Sequence, residues 1–357
     1  MTNEFKDKRI LVTGGTGSIG SVIVRQLLKY DPKVIRVLSR DESKQYQLMH
    51  EFSSDPRVRL LIGDIRERER LDVALEGVDI IFHAAAMKHV LFCEDNPFEA
   101  VKTNVLGTQN VINSALANGV KKVIGISTDK AADPISVMGC TKLLAEKLML
   151  ASFLYKGTKQ TKFSFVRFGN VLSTRGSILP LFYNQIKKGG PVTVTDEKMY
   201  RFFMSINEAV SLVLQASQMM HDGEIFVLKM PVIRIVDLAR AMIEIYAPSF
   251  GFKPDQIKIE FVGKKKGERY HEKLLSEDES TYAFESDNMF IIPPVIGYEV
   301  KPNFPSIPNV RPCSEGAYST EGKKLLSITE IKELILRDQE ALRRAVNGVG
   351  ELPQSET

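Results

Sequence analysis

Gly14-Gly15-Thr16-Gly17-Ser18-Ile19-Gly20 follows directly on a short β-branched run, Arg9 to Val12, and opens an amphipathic stretch from Ser18 to Lys29. No other feature restricts the chain as much. Glycine at 14 permits a tight turn, glycine at 17 lets a pyrophosphate approach backbone N–H groups, and glycine at 20 lets helix and strand pack closely. A glycine motif alone is weak evidence. Here strand, loop, helix and N-terminal position agree, so a dinucleotide site is expected at Gly14, Thr16, Gly17, Ser18, Ile19 and Gly20.

The strand–turn–helix pattern recurs through the first 170 residues, which means parallel strands with crossover helices. Strands are predicted at Arg9 to Val12, Val34 to Leu38, Val58 to Ile62, Ile80 to Phe82, Val123 to Ile126 and Phe163 to Arg167. Helices are predicted at Ser18 to Lys29, Glu42 to Phe52, Glu67 to Leu75, Pro97 to Ala117 and Met138 to Leu154. The expected fold is α/β: a Rossmann-like doubly wound parallel sheet with a smaller, partly interleaved C-terminal substrate lobe. The expected division gives residues 1–170 to the sheet domain, with 196–230 returning to it, and 171–195 and 231–290 to the lobe. Residues 291–357 read as a loop-rich tail, with a proline- and asparagine-rich linker from Pro293 to Pro312. A final helix is expected from Ile328 to Val346, opened by Ser327 or Thr329. In the second half, a helix is expected near Asn207 to Met219, a strand near Ile225 to Lys229 and a helix near Ile235 to Ala247.

Composition removes several function classes. The 357 residues are 43% hydrophobic and 26% charged, ample for a buried core. No run approaches the roughly 20 apolar residues of a membrane span, and the charged start Met1 to Arg9 does not resemble a signal peptide. Cys93, Cys140 and Cys313 show neither metal-ligand spacing nor a CxxC pair, so neither a disulfide framework nor a zinc site is expected, and a reducing cytoplasm is the expected home. A net charge of +4 spread along the chain gives little support to nucleic-acid binding. One basic cluster, Lys264-Lys265-Lys266, reads either as a solvated face or as an anion clamp.

The end of the second strand bears on the choice of dinucleotide. It carries Ser39-Arg40-Asp41 with Lys44 one turn later, cations that suit the 2′-phosphate of NADP. The alternative leaves Arg40 on the surface and gives a ribose 2′-OH to Asp41. Asp64-Ile65 is placed to meet the adenine, and Ala84-Ala85-Ala86 supplies small residues where the cofactor passes. The fifth strand ends in Ser127-Thr128-Asp129-Lys130, and chemistry collects at the carboxyl ends of such strands. The alternative for Asp129-Lys130 is a surface ion pair.

Several motifs together resemble the bacterial UDP-N-acetylglucosamine 4,6-dehydratases, in particular their soluble, short members. They are Gly14 to Gly20, Ser39-Arg40-Asp41-Glu42, Phe82-His83-Ala84-Ala85-Ala86-Met87-Lys88-His89, Lys102 to Thr108, Ser127 to Ala132 and Arg167-Phe168-Gly169-Asn170-Val171. The match runs from about residue 8 to about residue 280. The resemblance implies that hydride leaves C4 of the hexose for NADP+ and returns to C6. Lys130 would take the C5 proton, Asp129 would protonate the departing C6 hydroxyl, and Thr128 would hold the sugar. A lysine desolvated beside a positive nicotinamide loses basicity, which suits a neutral base near pH 7. Most short-chain dehydrogenases carry Tyr-x-x-x-Lys, but position 138 here is methionine and only Lys142 remains. The base for the C4 hydroxyl is therefore unassigned between Asp129 and Lys130.

On the resemblance, Lys88 and Asn104 join the cofactor residues. Lys88, Asn170, Ile178, Pro180, Phe182, Arg201, Lys265 and Glu268 face a UDP-sugar. Lys265 stands where the family usually has arginine and cannot reproduce a bidentate grip on phosphate. His83 reads as a packed strand-end residue, while His89 and His271 are undecided. The implied assembly is a homo-oligomer without nucleic-acid or membrane partners. The rivals are a UDP-hexose 4-epimerase or ketosugar reductase, and a non-catalytic NADP-binding regulator.

Overall fold

The computed structural model describes residues 3–265, 267–296, 299–300, 309–314 and 316–347. The first half alternates as read: β1 (Arg9–Thr13), α1 (Ser18–Leu27), β2 (Val34–Ser39), α2 (Glu42–Glu51), β3 (Val58–Ile62), α3 (Arg68–Leu75) and β4 (Ile80–His83). Next come α4 (Val90–Asp95), α5 (Pro97–Ala100), α6 (Gly107–Ala117), β5 (Lys122–Thr128), α7 (Val137–Tyr155) and β6 (Lys162–Phe168). Strands β1, β4 and β6 are buried along nearly their whole length, as a parallel sheet covered by helices on both faces requires. The helix expected from Pro97 to Ala117 is not continuous. A wide π-helical turn, Val101–Leu106, separates α5 from α6.

Beyond Phe168 come β7 (Asn170–Val171), α8 (Ile178–Lys187), β8 (Val192–Val194), β9 (Tyr200–Met204), α9 (Ile206–Met219), β10 (Glu224–Leu228), β11 (Val232–Arg234), α10 (Ile235–Tyr246) and β12 (Ile259–Phe261). They are followed by β13 (Lys273–Leu275), α11 (Glu277–Ser280), β14 (Phe284–Glu285), β15 (Met289–Ile292), α12 (Ile328–Arg337) and α13 (Gln339–Asn347).

Two compact units share the chain. The first comprises residues 1–168, 210–229 and 273–318, and the second 169–209, 230–272 and 319–357. In the first unit the sheet runs β14-β15-β10-β6-β5-β4-β1-β2-β3, with Arg311–Pro312 as a further edge strand beside β14. It is parallel from β3 to β10 and antiparallel beyond. The strand order reverses between β1 and β4, the crevice where doubly wound sheets take their ligands. In the second unit β11-β9-β7 form a small sheet and β8 pairs with β12. Its core joins α8, α10 and the two C-terminal helices through Leu179, Phe182, Leu238, Met242, Ile331 and Leu342.

This division differs from the sequence-based one. Residues 273–290, expected in the lobe, return to the sheet unit because β14 and β15 extend the sheet. Residues 196–209 fall in the second unit, and the tail supplies two packed helices to it. Of the expected linker Pro293 to Pro312, residues 297–298 and 301–308 lie outside the described residues. The final helix begins after Ser327, as expected, but breaks at Asp338 into α12 and α13.

Candidate active site

The glycine loop in the first unit is shaped for close approach. Gly14 has φ +65°, and a methyl group there would lie 2.7 Å from the Ala85 Cα, so the 84–86 segment passes directly over it. A methyl on Gly20 would lie 2.4 Å from the Gly14 carbonyl oxygen. Helix α1 starts after Gly17 with no side-chain cap, so its first-turn N–H groups present the partial positive charge of a helix N-terminus to an anion.

At the end of β2, Thr16 and Ser39 hydroxyls meet at 2.7 Å. Asp41 is the N-cap of α2, accepting from the Lys44 N–H at 3.0 Å, and the Lys44 ammonium pairs with the same carboxylate. That local pairing departs from the expectation of Lys44 as a phosphate ligand. Arg40 is left as the outward cation, its side chain 59% exposed and 3.4 Å from Asp64. Asp64 is almost buried and pairs with Arg66 at 2.7 Å. Burial pushes its carboxyl up, but hydrogen bonds and charge from Arg66 outweigh this and hold it below the usual range. The Ile65 side chain is buried against Gly107. The sequence reading missed Arg66, which also pairs with Glu99.

Asn104 and His83 form a buried lattice beneath this surface. Asn104 accepts from the Met87 N–H at 2.8 Å, and its amide donates to the Met87 carbonyl and the Thr141 hydroxyl. Asn104, expected among the cofactor residues, holds the backbone of Met87 through these bonds. The Thr108 hydroxyl donates to the Asn104 carbonyl at 2.6 Å, so His83 Nε2 donates to Thr108 and Nδ1 accepts from Thr13. Burial, then the charge of Lys142, lowers the His83 imidazole to about 3, so it stays neutral. Lys88 is exposed, and burial followed by Lys88 lowers the His89 imidazole.

At the end of β5 the three expected residues converge. The Thr128 hydroxyl donates to Asp129 Oδ1 at 2.7 Å, and Lys130 Nζ lies 3.1 Å from the same oxygen and 3.3 Å from Oδ2. The Asp129 side chain is 1% exposed, whereas Lys130 is partly open. Gly139 lets the first turn of α7 close over this segment, since a methyl there would lie 2.3 Å from the Lys130 carbonyl oxygen. Lys142 donates to the Ile126 carbonyl at 2.5 Å. Burial pulls its ammonium down to about 8, with Glu146 one turn later opposing that fall. Met138 is buried among Cys93, Ala100, Met87 and Val90.

In the second unit Asn170 begins β7, level with Phe203 of β9. Ile178 opens α8, and Pro180 and Phe182 are buried. Phe182 is 0% exposed, because the apolar stripe Leu179, Phe182 and Ile186 faces the core. Arg201 is also committed elsewhere, donating to the Tyr200 carbonyl at 2.7 Å and approaching Glu272 at 3.5 Å. Lys265 and Glu268 close a turn on each other: the Lys265 N–H donates to the Glu268 carboxylate at 3.0 Å. Lys264 lies over the Tyr270 ring, and Lys266 falls outside the described residues. His271 stacks on Tyr200 with ring centroids 4.8 Å apart, a pair that no local spacing announces. Among the described residues no cluster of His, Cys, Asp and Glu could hold a metal ion, and no helix is long and apolar enough to cross a membrane.

A doubly wound sheet with a glycine-rich loop after β1, together with the chain's relatives, marks an enzyme of the extended short-chain dehydrogenase/reductase type. More narrowly, residues 10–294 match the model of the polysaccharide biosynthesis protein family, and the chain belongs to that family. It is 56% identical over 294 residues to an uncharacterized membrane protein of Methanocaldococcus jannaschii, covering 82% of this chain and 88% of that one. It is 43% identical to the UDP-N-acetylglucosamine 4,6-dehydratase (inverting) of Campylobacter jejuni, over 84% of this chain and 86% of that one. It is 40% identical to a UDP-glucose 4-epimerase of Rickettsia bellii, over 96% and 100%. Among solved structures, Pen from Bacillus thuringiensis is 46% identical with a TM-score of 0.85, over 93% of this chain and 98% of that one.

Proposed function

We propose that the chain is a nucleotide-sugar 4,6-dehydratase that converts UDP-N-acetylglucosamine to a UDP-4-keto-6-deoxy-N-acetylhexosamine, with NADP as bound cofactor. The observation that carries this reading is the Thr128-Asp129-Lys130 cluster, an acid–base pair that C4 epimerisation does not need. Similarity to the Campylobacter dehydratase supports it. The cradle fits a dinucleotide: a methyl at Gly14 or Gly20 would fill it, and the uncapped start of α1 suits a pyrophosphate. When bound, the nicotinamide supplies a hydride acceptor and donor.

The protein's own residues then move protons. Asp129 is enclosed, so protons reach it through the Thr128 hydroxyl and the Lys130 amine, both in contact with Oδ1. Over one cycle Asp129 receives the C4 hydroxyl proton by way of Thr128. Neutral Lys130 takes the C5 proton once C4 is a ketone, and Asp129 gives its proton to the C6 hydroxyl, which leaves as water. Lys130 returns a proton to C5, and the pair ends as it began.

The second reading, UDP-hexose 4-epimerisation, is favoured by the nearly full-length similarity to the Rickettsia epimerase. Incubation with UDP-N-acetylglucosamine separates the two. Dehydration gives a 4-keto-6-deoxy sugar without net cofactor consumption, epimerisation gives the C4 epimer, and no product would leave a cofactor-binding regulator.

A further inference from the structure

Asp129 and Lys130 lie just beyond the last paired residue of β5, in a single 3₁₀ turn, Asp129–Ala131. The Ala132 N–H closes that turn on the Asp129 carbonyl at 3.2 Å, and one turn of this kind has little rigidity of its own. Directly after it Asp133 takes a left-handed backbone, φ +49°, which a non-glycine residue keeps only where its surroundings hold it. Two elements pack on the turn. One is α7, through the close approach of Gly139 to the Lys130 carbonyl, and the other is β13. Lys273, the first residue of β13, places its ammonium 2.7 Å from the Asp133 carboxylate.

The strand that carries Lys273 is itself anchored from the interior. Arg167, wholly buried on β6 at the position paired with Ser127, commits all five of its N–H donors. Nη1 donates to the Leu274 carbonyl of β13 at 3.0 Å, and Nη1 and Nη2 grip Glu279 of α11 at 2.9 and 3.0 Å. Nε and Nη2 grip Glu146 of α7 at 3.2 and 2.7 Å, so β13 is tied to the same helix that closes over the turn. We infer that Lys273 is a positioning residue: as the outer end of this brace it holds Asp133, and with it the turn that carries Asp129 and Lys130. The Lys273 and Asp133 side chains are 26% and 43% exposed, so their pair adds little to overall stability. What it does is select one backbone path for the acid–base turn.

Lys273 serves the chemistry only as far as the dehydratase reading holds, because that reading is what gives Asp129 and Lys130 their work. Its hold on the turn can be measured without substrate or cofactor. In amide hydrogen exchange of the free protein, Lys273→Met should make the peptide containing Ala131 and Ala132 exchange up to about fivefold faster, with the melting midpoint and the exchange of β1 unchanged. In turnover of UDP-N-acetylglucosamine the same variant should lower kcat about tenfold and leave KM near the wild-type value, since proton transfer is misaligned while the sugar still binds. Lys273→Arg should restore both readouts. Adding Lys273→Met to Asp133→Asn should do no more harm than Asp133→Asn alone. Arg25→Met removes an ion pair of similar exposure, with Glu51, from the same unit and should move neither readout. Wild-type exchange at the turn or a wild-type kcat in Lys273→Met overturns the inference, as do equal changes in Arg25→Met. A wild-type protein that forms no 4-keto sugar overturns the dehydratase reading instead, and the exchange measurement alone then decides whether Lys273 holds the turn.

Discussion

Met138 sits in a buried apolar cluster with Cys93 and Ala100, so its thioether packs and exchanges no proton. Met138→Leu, close in volume, is expected to keep most of the activity, since such swaps cost under about 1.5 kcal/mol. Met138→Tyr brings a larger ring and a hydroxyl into the same cluster. It should destabilise by about 1–3 kcal/mol without raising turnover, as melting curves and initial rates would show. Lys130→Ala should abolish the 4-keto product and solvent-deuterium incorporation at C5 while leaving cofactor affinity intact, and near-normal turnover would end the assignment. Arg40, the outward cation at the end of β2, should matter for one cofactor only: Arg40→Ala is expected to weaken NADP about tenfold, an exposed charged hydrogen bond being worth roughly 1–1.5 kcal/mol, and to leave NAD almost unchanged. Equal losses in a titration of both would show that Arg40 does not read the 2′-phosphate. The glycine loop after β1 and the Thr128-Asp129-Lys130 run at the end of β5 could be located from sequence because each motif is local. The burial of Phe182 in the core of the second unit was not legible, because an apolar residue on a helix does not declare which side of it lies inward.

Elements long in period were readable and their interruptions were not. The first six parallel strands stood out as short apolar runs, whereas the π turn at Val101–Leu106 carries no proline or glycine to mark it. Nor does the break between α12 and α13, where Asp338 is buried. Burial pushes its carboxyl up to about 6, above the 3.8 of an open chain. Folding therefore takes up a proton: the stabilising increment is complete below about pH 4 and is lost as pH rises through about 6. The shift corresponds to about 2–3 kcal/mol. Asp338→Asn should raise the melting midpoint by several degrees at pH 7.5 and leave it nearly unchanged at pH 4. An equal effect at both values would place the strain elsewhere than in the carboxylate charge.

For the molecule as a whole, fold class was readable and the ownership of segments was not. Residues 273–318 rejoin the first unit through pairing with β10 and through Arg167, contacts that no local pattern announces. The same buried guanidinium carries a consequence for synthesis on the ribosome. Arg167 lies on β6 and its second acceptor, Glu279, is 112 residues downstream. At about 5–20 residues per second, the nascent chain carries Arg167 for several seconds with two of its five donors still lacking the Glu279 carboxylate. The β10 strand that covers the edge of β6 also emerges later than β6. The N-terminal strands can collapse early, but the interior behind β6 cannot be sealed dry until the chain has passed residue 279. Native closure of this unit is therefore a late event, tied to the C-terminal third of the chain.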